Sequence, residues 1–337
     1  MAREVGGALT RNPLARPAGL EGVRTEDLVA EIDARLGTGH LVDKLHTADW
    51  LTRLAMRIEV RTDRFDNRLS CSNLVGQMAW LLSHPHWSLA TLRDSEFLEL
   101  GCGNLNPYAR CIAAIAVGAR RAVAIDLDAI GEPFVAARAA LQALQWLHTD
   151  PEAILPGLGL SPEIVGPRFA GVDMRRLAIG DPAGLPAELV AYENRDVSRL
   201  AHADASVGAS LSSAFLEHVP DLDQTLREMA RVTRRGGIGT HNIDASDHRA
   251  YSDEATHPLE FLTVESNEAL VAGSNRLRIF EIHAAFEANG FQVVGTMPHT
   301  RTDVPPDIRR RLAPRFRAMT DAQLGTIGVM FQVVRRC

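Results

Sequence analysis

The chain has 337 residues, of which 46% are hydrophobic and 23% charged, a balance typical of a globular protein with a sizeable core. The net charge of -6 gives no basic surface for nucleic acid or an anionic membrane, and no apolar run is long enough to span a bilayer. The four cysteines lack the spacing of a metal or disulfide site, which favours a reducing cytoplasm.

The basic residues are unusual, because Lys44 is the single lysine and arginine supplies the rest. Arginine stays protonated near neutral pH and therefore cannot serve as a general base. Any general base in this protein is expected to be a His, Asp, Glu or Tyr.

The first 94 residues differ from the rest of the chain. Residues 1–24 are rich in Gly, Ala, Pro and Arg without periodicity and are predicted to form a flexible tail. Apolar residues at helical spacing then predict an N-terminal helical cover over 25–94. From residue 95 to 337, short apolar strands alternate with helices.

This alternation predicts an α/β fold, a Rossmann-like doubly wound sheet that is mostly parallel, with helices on both faces. The last two strands are expected to pair antiparallel at one edge. The seven predicted strands are Phe97–Leu100, Ala122–Ile125, Val190–Glu193, Ala205–Ser212, Ile238–Ile243, Phe291–Met297 and Thr326–Val334.

Two stretches interrupt the alternation and are predicted to be insertions. In 151–186, twelve of the 36 residues are Pro or Gly, which indicates a surface segment outside any cofactor site. The second insertion, 245–278, contains Tyr251, His257 and Arg276, side chains suited to a mixed polar and apolar substrate pocket.

A Gly-x-Gly turn follows the first strand, in "FLELGCGNLNPYAR". A strand, such a turn and a helix place backbone N–H groups beside a bound ligand, and Asp126 after the next strand is spaced to accept hydrogen bonds from ribose hydroxyls. The third glycine of a dinucleotide fingerprint is absent where Asn106 stands, which disfavours NAD. A simple tight turn is the alternative interpretation. Pro107 is predicted to begin the helix, with Asn106 as its cap.

Five motifs in order extend this pattern: "ELGCG" at 99–103, "AIDLD" at 124–128, "RDVSRL" at 195–200, "SSAFLEHVPD" at 212–221 and "EMARVTRRGG" at 228–237. Over about 96–294 the chain therefore resembles the class I S-adenosylmethionine-dependent methyltransferases of the small-molecule type. The resemblance implies S-adenosyl-L-methionine as the cofactor. The residues it implies for cofactor binding are Glu99, Gly101, Cys102, Gly103, Asp126, Leu127, Asp196, Val197, Ser213 and Ala214.

The resemblance also implies individual roles. Glu99 would order the glycine turn near the methionine ammonium, Asp126 would hold the ribose hydroxyls and Asp196 would accept from the adenine amino group. The chain departs from the family at Leu105, where the usual third glycine is missing, and in the long gap between Asp126 and Asp196.

Two histidine-bearing stretches follow the fourth and fifth strands, at the sheet edge where ligands bind in open α/β folds. His241 is predicted to be the general base with Asp244 orienting its ring, and His218 is the second candidate. The alternatives are that His218 only closes the cofactor pocket and that 240–248 is a solvated loop. The mixed His and Asp spacing also resembles metal ligands, but a metal-free site is predicted.

The predicted function is methyl transfer to a small-molecule acceptor such as a sugar or secondary metabolite, at oxygen, because histidines and acids suit deprotonation of a hydroxyl. A non-catalytic S-adenosylmethionine-binding partner protein and an NAD-dependent oxidoreductase are the alternatives. No nucleic-acid or membrane partner is expected, and a homodimer is compatible with the sequence.

Overall fold

The computed structural model describes residues 77–104, 106–155 and 157–336, with the backbone alone at 146, 153 and 154. The tail predicted over 1–24, most of the helical cover predicted over 25–94 and Leu105 lie outside the described residues. No helix within the described ranges is long and apolar enough to cross a membrane.

A seven-stranded sheet forms the centre of the protein, as predicted. Its order is β3-β2-β1-β4-β5-β7-β6, with the first five strands parallel and β7 antiparallel to both neighbours. In chain order the strands are β1 (Glu96–Leu100), β2 (Arg121–Asp126), β3 (Val190–Asn194), β4 (Val207–Ser213), β5 (Thr233–Asp244), β6 (Phe291–Arg301) and β7 (Thr326–Arg335).

Eleven α-helices lie within the described ranges and flank or connect these strands. They are α1 (Met78–Leu82), α2 (Leu89–Leu92), α3 (Ala109–Val117), α4 (Pro133–Thr149), α5 (Pro151–Ile154), α6 (Pro162–Val165), α7 (Met174–Ala178), α8 (Leu222–Val232), α9 (Ile279–Ala288), α10 (Pro306–Arg311) and α11 (Asp321–Gly325).

The central strands are buried on both faces, which explains their continuous apolar runs. Alternate side chains of β1 enter different cores: Phe97 packs with α1, α3 and α4, whereas Leu98 packs with α8 and α9. A third apolar cluster joins Phe261, from the second predicted insertion, to α10 and α11. The helices thus cover both faces and leave the carboxyl ends of the parallel strands open for a site.

The first predicted insertion is exposed over much of its length and also contributes to a core. Three short α-helices and two short 3-10 helices lie in 151–186, and Val165, Phe169 and Leu177 are buried in the same core as α3 and α4. The expectation of a purely surface segment is corrected to this extent, because apolar side chains spaced irregularly among the prolines and glycines pack against those helices. None of the residues described in this segment lines the pocket presented below.

The start of α3 also differs from the prediction. The helix begins at Ala109 with Tyr108 at the N-cap and no side-chain cap, so Pro107 and Asn106 stand before it. Asn106 is buried instead of capping the helix.

Candidate cofactor and acceptor site

A pocket of about 590 Å³ lies at the carboxyl ends of the parallel strands. This is the edge at which ligands bind in open α/β sheets. Its walls come from the turns after β1 to β4. Of the residues predicted for the site, those that line it are Gly101, Gly103, Asp126, Leu127, Asp196, Val197, Ala214 and His218.

The glycine turn after β1 needs both of its glycines. Gly101 and Gly103 have φ of 65° and 74°, a region that disfavours residues with a Cβ. A Cβ on Gly101 would lie 2.3 Å from the Phe215 ring, whereas one on Gly103 would meet nothing within 4 Å. Gly101 therefore allows the turn after β4 to approach, and Gly103 leaves space over the pocket.

Asp126 at the end of β2 is tied to that turn. Its Oδ2 accepts from the backbone N–H of Gly103 at 2.8 Å and its Oδ1 accepts from that of Asp128 at 3.1 Å. Asn194 at the end of β3 donates to the carbonyl of Asp126 at 3.2 Å. The carboxylate is thus fixed in a wall of the pocket, where it can accept from a diol.

The turn after β3 forms the next wall. Asp196 accepts from the backbone N–H of Ser198 at 2.8 Å and caps the short helix Val197–Arg199. Val197 is buried and Leu127 is 69% exposed, and both line the pocket. They add apolar side chains to a lining that is otherwise partly polar.

Three of the predicted cofactor residues do not line the pocket: Glu99, Cys102 and Ser213. The Cys102 thiol is buried, which raises its pKa well above the ordinary value, and it donates to the carbonyl of Gly103. Ala214, next to Ser213, reaches the pocket with a φ of 51°.

Glu99 instead forms a buried ion pair with Arg110 on α3. Arg110 also donates through Nε to Gln77 at 2.9 Å. Burial raises the pKa of Glu99 to about 7, and the guanidinium opposes this rise. The sequence analysis did not identify Arg110. The signal for a buried ion pair was a single arginine in a helix whose other side chains are small or apolar.

His218 is the one predicted catalytic residue that lines the pocket. Its Nδ1 lies 2.8 Å from the carbonyl oxygen of Gly273. Because a carbonyl only accepts, Nδ1 donates the hydrogen, so Nε2 is the nitrogen that carries the lone pair in the neutral ring. His218 can therefore accept a hydrogen bond or a proton, or bind an ion.

The prediction that His241 lies on the rim was wrong. Its ring is completely buried, stacks 5.5 Å from the Phe286 ring and has Nδ1 2.9 Å from Ser212 Oγ. Burial lowers the pKa of His241 to about 3, with a smaller contribution from His84. Alternation along β5 directs the ring into the core beside Phe286 on α9, and His241 does not line the pocket.

His241 should make folding depend on pH. Below about pH 6.5 the unfolded chain protonates this imidazole and the folded protein does not, so stability falls as the pH falls. Between about pH 7 and pH 5 the loss from His241 is about 2 kcal/mol. His241→Leu should remove this part of the decline in the free energy of unfolding. The part due to His84 should remain, because burial lowers the pKa of His84 to about 4.

Urea unfolding at both pH values measures this difference. His283→Ala on α9 is the control, since His283 is exposed. A decline in His241→Leu as steep as in the wild type would show that His241 is protonated in the folded state.

Asp244 does not orient His241. Its Oδ1 accepts from Ser246 Oγ at 2.6 Å, and its Oδ2 accepts from the Tyr251 hydroxyl and lies 3.6 Å from His248 Nε2. Asp244 therefore organises the loop after β5, beside His218, whose ring centroid lies 4.7 Å from that of His248.

The site has the features of a nucleotide-type cofactor pocket: a glycine turn, an acidic residue after β2 and a polar cluster after β4 and β5. A family model described as "Methyltransferase domain" matches residues 165–239, which include β3, β4 and α8. No curated protein sequence matches the chain.

Several solved structures are similar to this chain. An S-adenosylmethionine-dependent methyltransferase from Mesorhizobium loti is 14% identical, with 77% of this chain and 98% of that one covered and a TM-score of 0.41. Geranyl diphosphate C-methyltransferase from Streptomyces coelicolor is 14% identical, with 77% of each chain covered and a TM-score of 0.43.

The strand order defines a Rossmann-like α/β fold, and the pocket lies at the carboxyl ends of its parallel strands. The match of residues 165–239 to a methyltransferase-domain model supports a class I S-adenosylmethionine-dependent methyltransferase, as the sequence motifs indicated. S-adenosylmethionine is the cofactor that this match supports.

Proposed function

We propose that the protein transfers the methyl group to an oxygen of a small-molecule acceptor, in a reducing, cytoplasmic setting. The observation that supports this is the pocket itself, which joins the ribose-type carboxylate of Asp126 to the imidazole of His218. A cofactor and an acceptor bound there would share one pocket.

The residues present fit the cofactor. Asp126 is held ready for a diol, the space over Gly103 is open, and Leu127 and Val197 offer apolar faces for the adenine. Bound S-adenosylmethionine supplies an electrophilic methyl group. The protein's task is then to align the acceptor, exclude water and accept a proton.

His218 is our proposed proton acceptor in the metal-free protein. Its Nδ1–H is engaged by Gly273, so Nε2 is the basic atom. Incubating the protein with S-adenosylmethionine and a panel of hydroxyl compounds, and screening for the mass of one added methyl group, tests the proposal. Methylation at nitrogen or carbon alone would contradict it.

Asp126→Ala should weaken binding of S-adenosylhomocysteine by about 1–3 kcal/mol, the range for hydrogen bonds to a charged acceptor. Calorimetry on protein freed of carried-over cofactor measures this change. Asp181→Ala is the control, since Asp181 caps a short helix and does not line the pocket. An unchanged affinity in Asp126→Ala would mean that the ribose lies elsewhere, and tight NAD binding in place of S-adenosylhomocysteine would overturn the cofactor assignment.

A further inference from the structure

The turn after β4 and the loop after β5 bring three ligand-type side chains together: Glu217, His218 and His248. One carboxylate oxygen and one ring nitrogen of each histidine lie within 4.8 Å of one another. We propose that these residues bind a divalent transition-metal ion, which in turn binds an oxygen of the acceptor. The statement that the ion binds an acceptor oxygen rests on the proposed function, whereas the ion site itself can be tested without it.

The donor set selects the class of ion. Two imidazoles and one carboxylate suit first-row ions such as Zn²⁺, Co²⁺ or Fe²⁺, whereas Mg²⁺ and Ca²⁺ prefer oxygen ligands alone. A set of three protein ligands also leaves coordination positions open for an exogenous oxygen. The cluster therefore fits a site that holds a substrate better than a closed structural site.

His218 is already oriented as a ligand. Its Nδ1–H donates to the carbonyl of Gly273 at 2.8 Å, which leaves Nε2 as the coordinating atom. Metal-binding histidines usually donate the second ring N–H to a carbonyl or carboxylate, because this fixes the tautomer and the ring direction. The structure provides this outer contact.

The other two ligands, Glu217 and His248, both lie against Asp244 at the end of β5. Glu217 is 1% exposed, and its Oε1 accepts from the backbone N–H of Asp244 at 3.0 Å. His248 lies with Nε2 3.6 Å from Asp244 Oδ2, so this carboxylate can support it from outside the ligand set. A mostly enclosed carboxylate beside two imidazoles gains from a cation that neutralises it.

The position of the cluster connects the ion to the reaction. His218 lines the pocket that also contains Asp126 and Ala214. An ion held there would bind the acceptor oxygen and lower its pKa. With the ion bound, His218 is a ligand and no longer the proton acceptor, so the two roles belong to two separable states of the protein.

Titrating chelator-treated full-length protein with Co²⁺ alone tests the site. We expect one ion per chain by calorimetry, with visible absorption bands from imidazole-coordinated Co²⁺. His248→Ala and Glu217→Gln should each weaken binding by at least about tenfold, since even outer contacts of metal sites have effects of this size. His283→Ala, an exposed histidine on α9, should bind like the wild type.

Binding of S-adenosylhomocysteine confirms that each variant is folded. The proposal is overturned if Co²⁺ does not bind stoichiometrically, or if the two cluster variants bind it like His283→Ala. Full methyl transfer by protein that binds no Co²⁺ would reject the ion and leave the proposed function intact. Stoichiometric Co²⁺ binding without methyl transfer to any hydroxyl acceptor would support the ion site and reject the proposed function.

Discussion

His218→Ala is expected to lower kcat for methyl transfer by about 10²–10⁴-fold, the usual contribution of a positioned proton acceptor. The reason is the geometry of the pocket, in which His218 is the histidine that reaches the space beside Ala214. Its tautomer presents a basic Nε2, because Nδ1 donates to Gly273. Affinity for S-adenosylhomocysteine should change far less, since Asp126 and the glycine turn remain.

The measurement uses an acceptor found by the mass screen and chelator-treated protein, so that only the metal-free role is tested. His283→Ala on α9 is the matched control, as it removes an exposed imidazole outside the pocket. If His218→Ala retains the kcat of this control, no proton passes to His218 and alignment of the acceptor is sufficient. A large loss of S-adenosylhomocysteine affinity would instead assign His218 to closing the cofactor pocket.

Arg110→Met is expected to reduce the free energy of unfolding by about 3–5 kcal/mol, because it leaves the buried carboxylate of Glu99 without its partner. Glu99 is 1% exposed and Arg110 is 5% exposed. The loss should shrink at lower pH, since Glu99, whose pKa burial already raises to about 7, can then take up a proton. Glu99→Leu with Arg110→Met should recover most of the stability, as two apolar side chains need no pairing.

Urea unfolding of the single and double variants measures these changes. Arg120→Met is the matched control: its guanidinium pairs with Glu96 at 3.3 Å with a 57% exposed side chain, so the expected loss is at most about 1 kcal/mol. If Arg110→Met is no more destabilising than Arg120→Met, the buried pair contributes no more to the stability of the fold than an exposed one.

The sequence by itself determined the sheet and the part of the pocket formed by Gly101, Gly103 and Asp126. Continuous apolar runs mark the central strands, which are buried on both faces, so these strands were predictable. The order of the motifs then indicated where Gly101, Gly103 and Asp126 lie, because turns after parallel strands meet at one edge. These features depend on the local hydrophobic pattern and on the order of the elements, and both can be read from one sequence.

Only the tertiary structure decided which polar residues line the pocket. His241 and His218 both follow parallel strands, yet strand alternation buries the first against Phe286 while the turn after β4 brings the second into the pocket. The same folding placed Arg110 under Glu99 and His248 beside Glu217, pairs whose members are 11 and 31 positions apart. Such contacts depend on how side chains pack across elements, and spacing along the chain does not specify that packing.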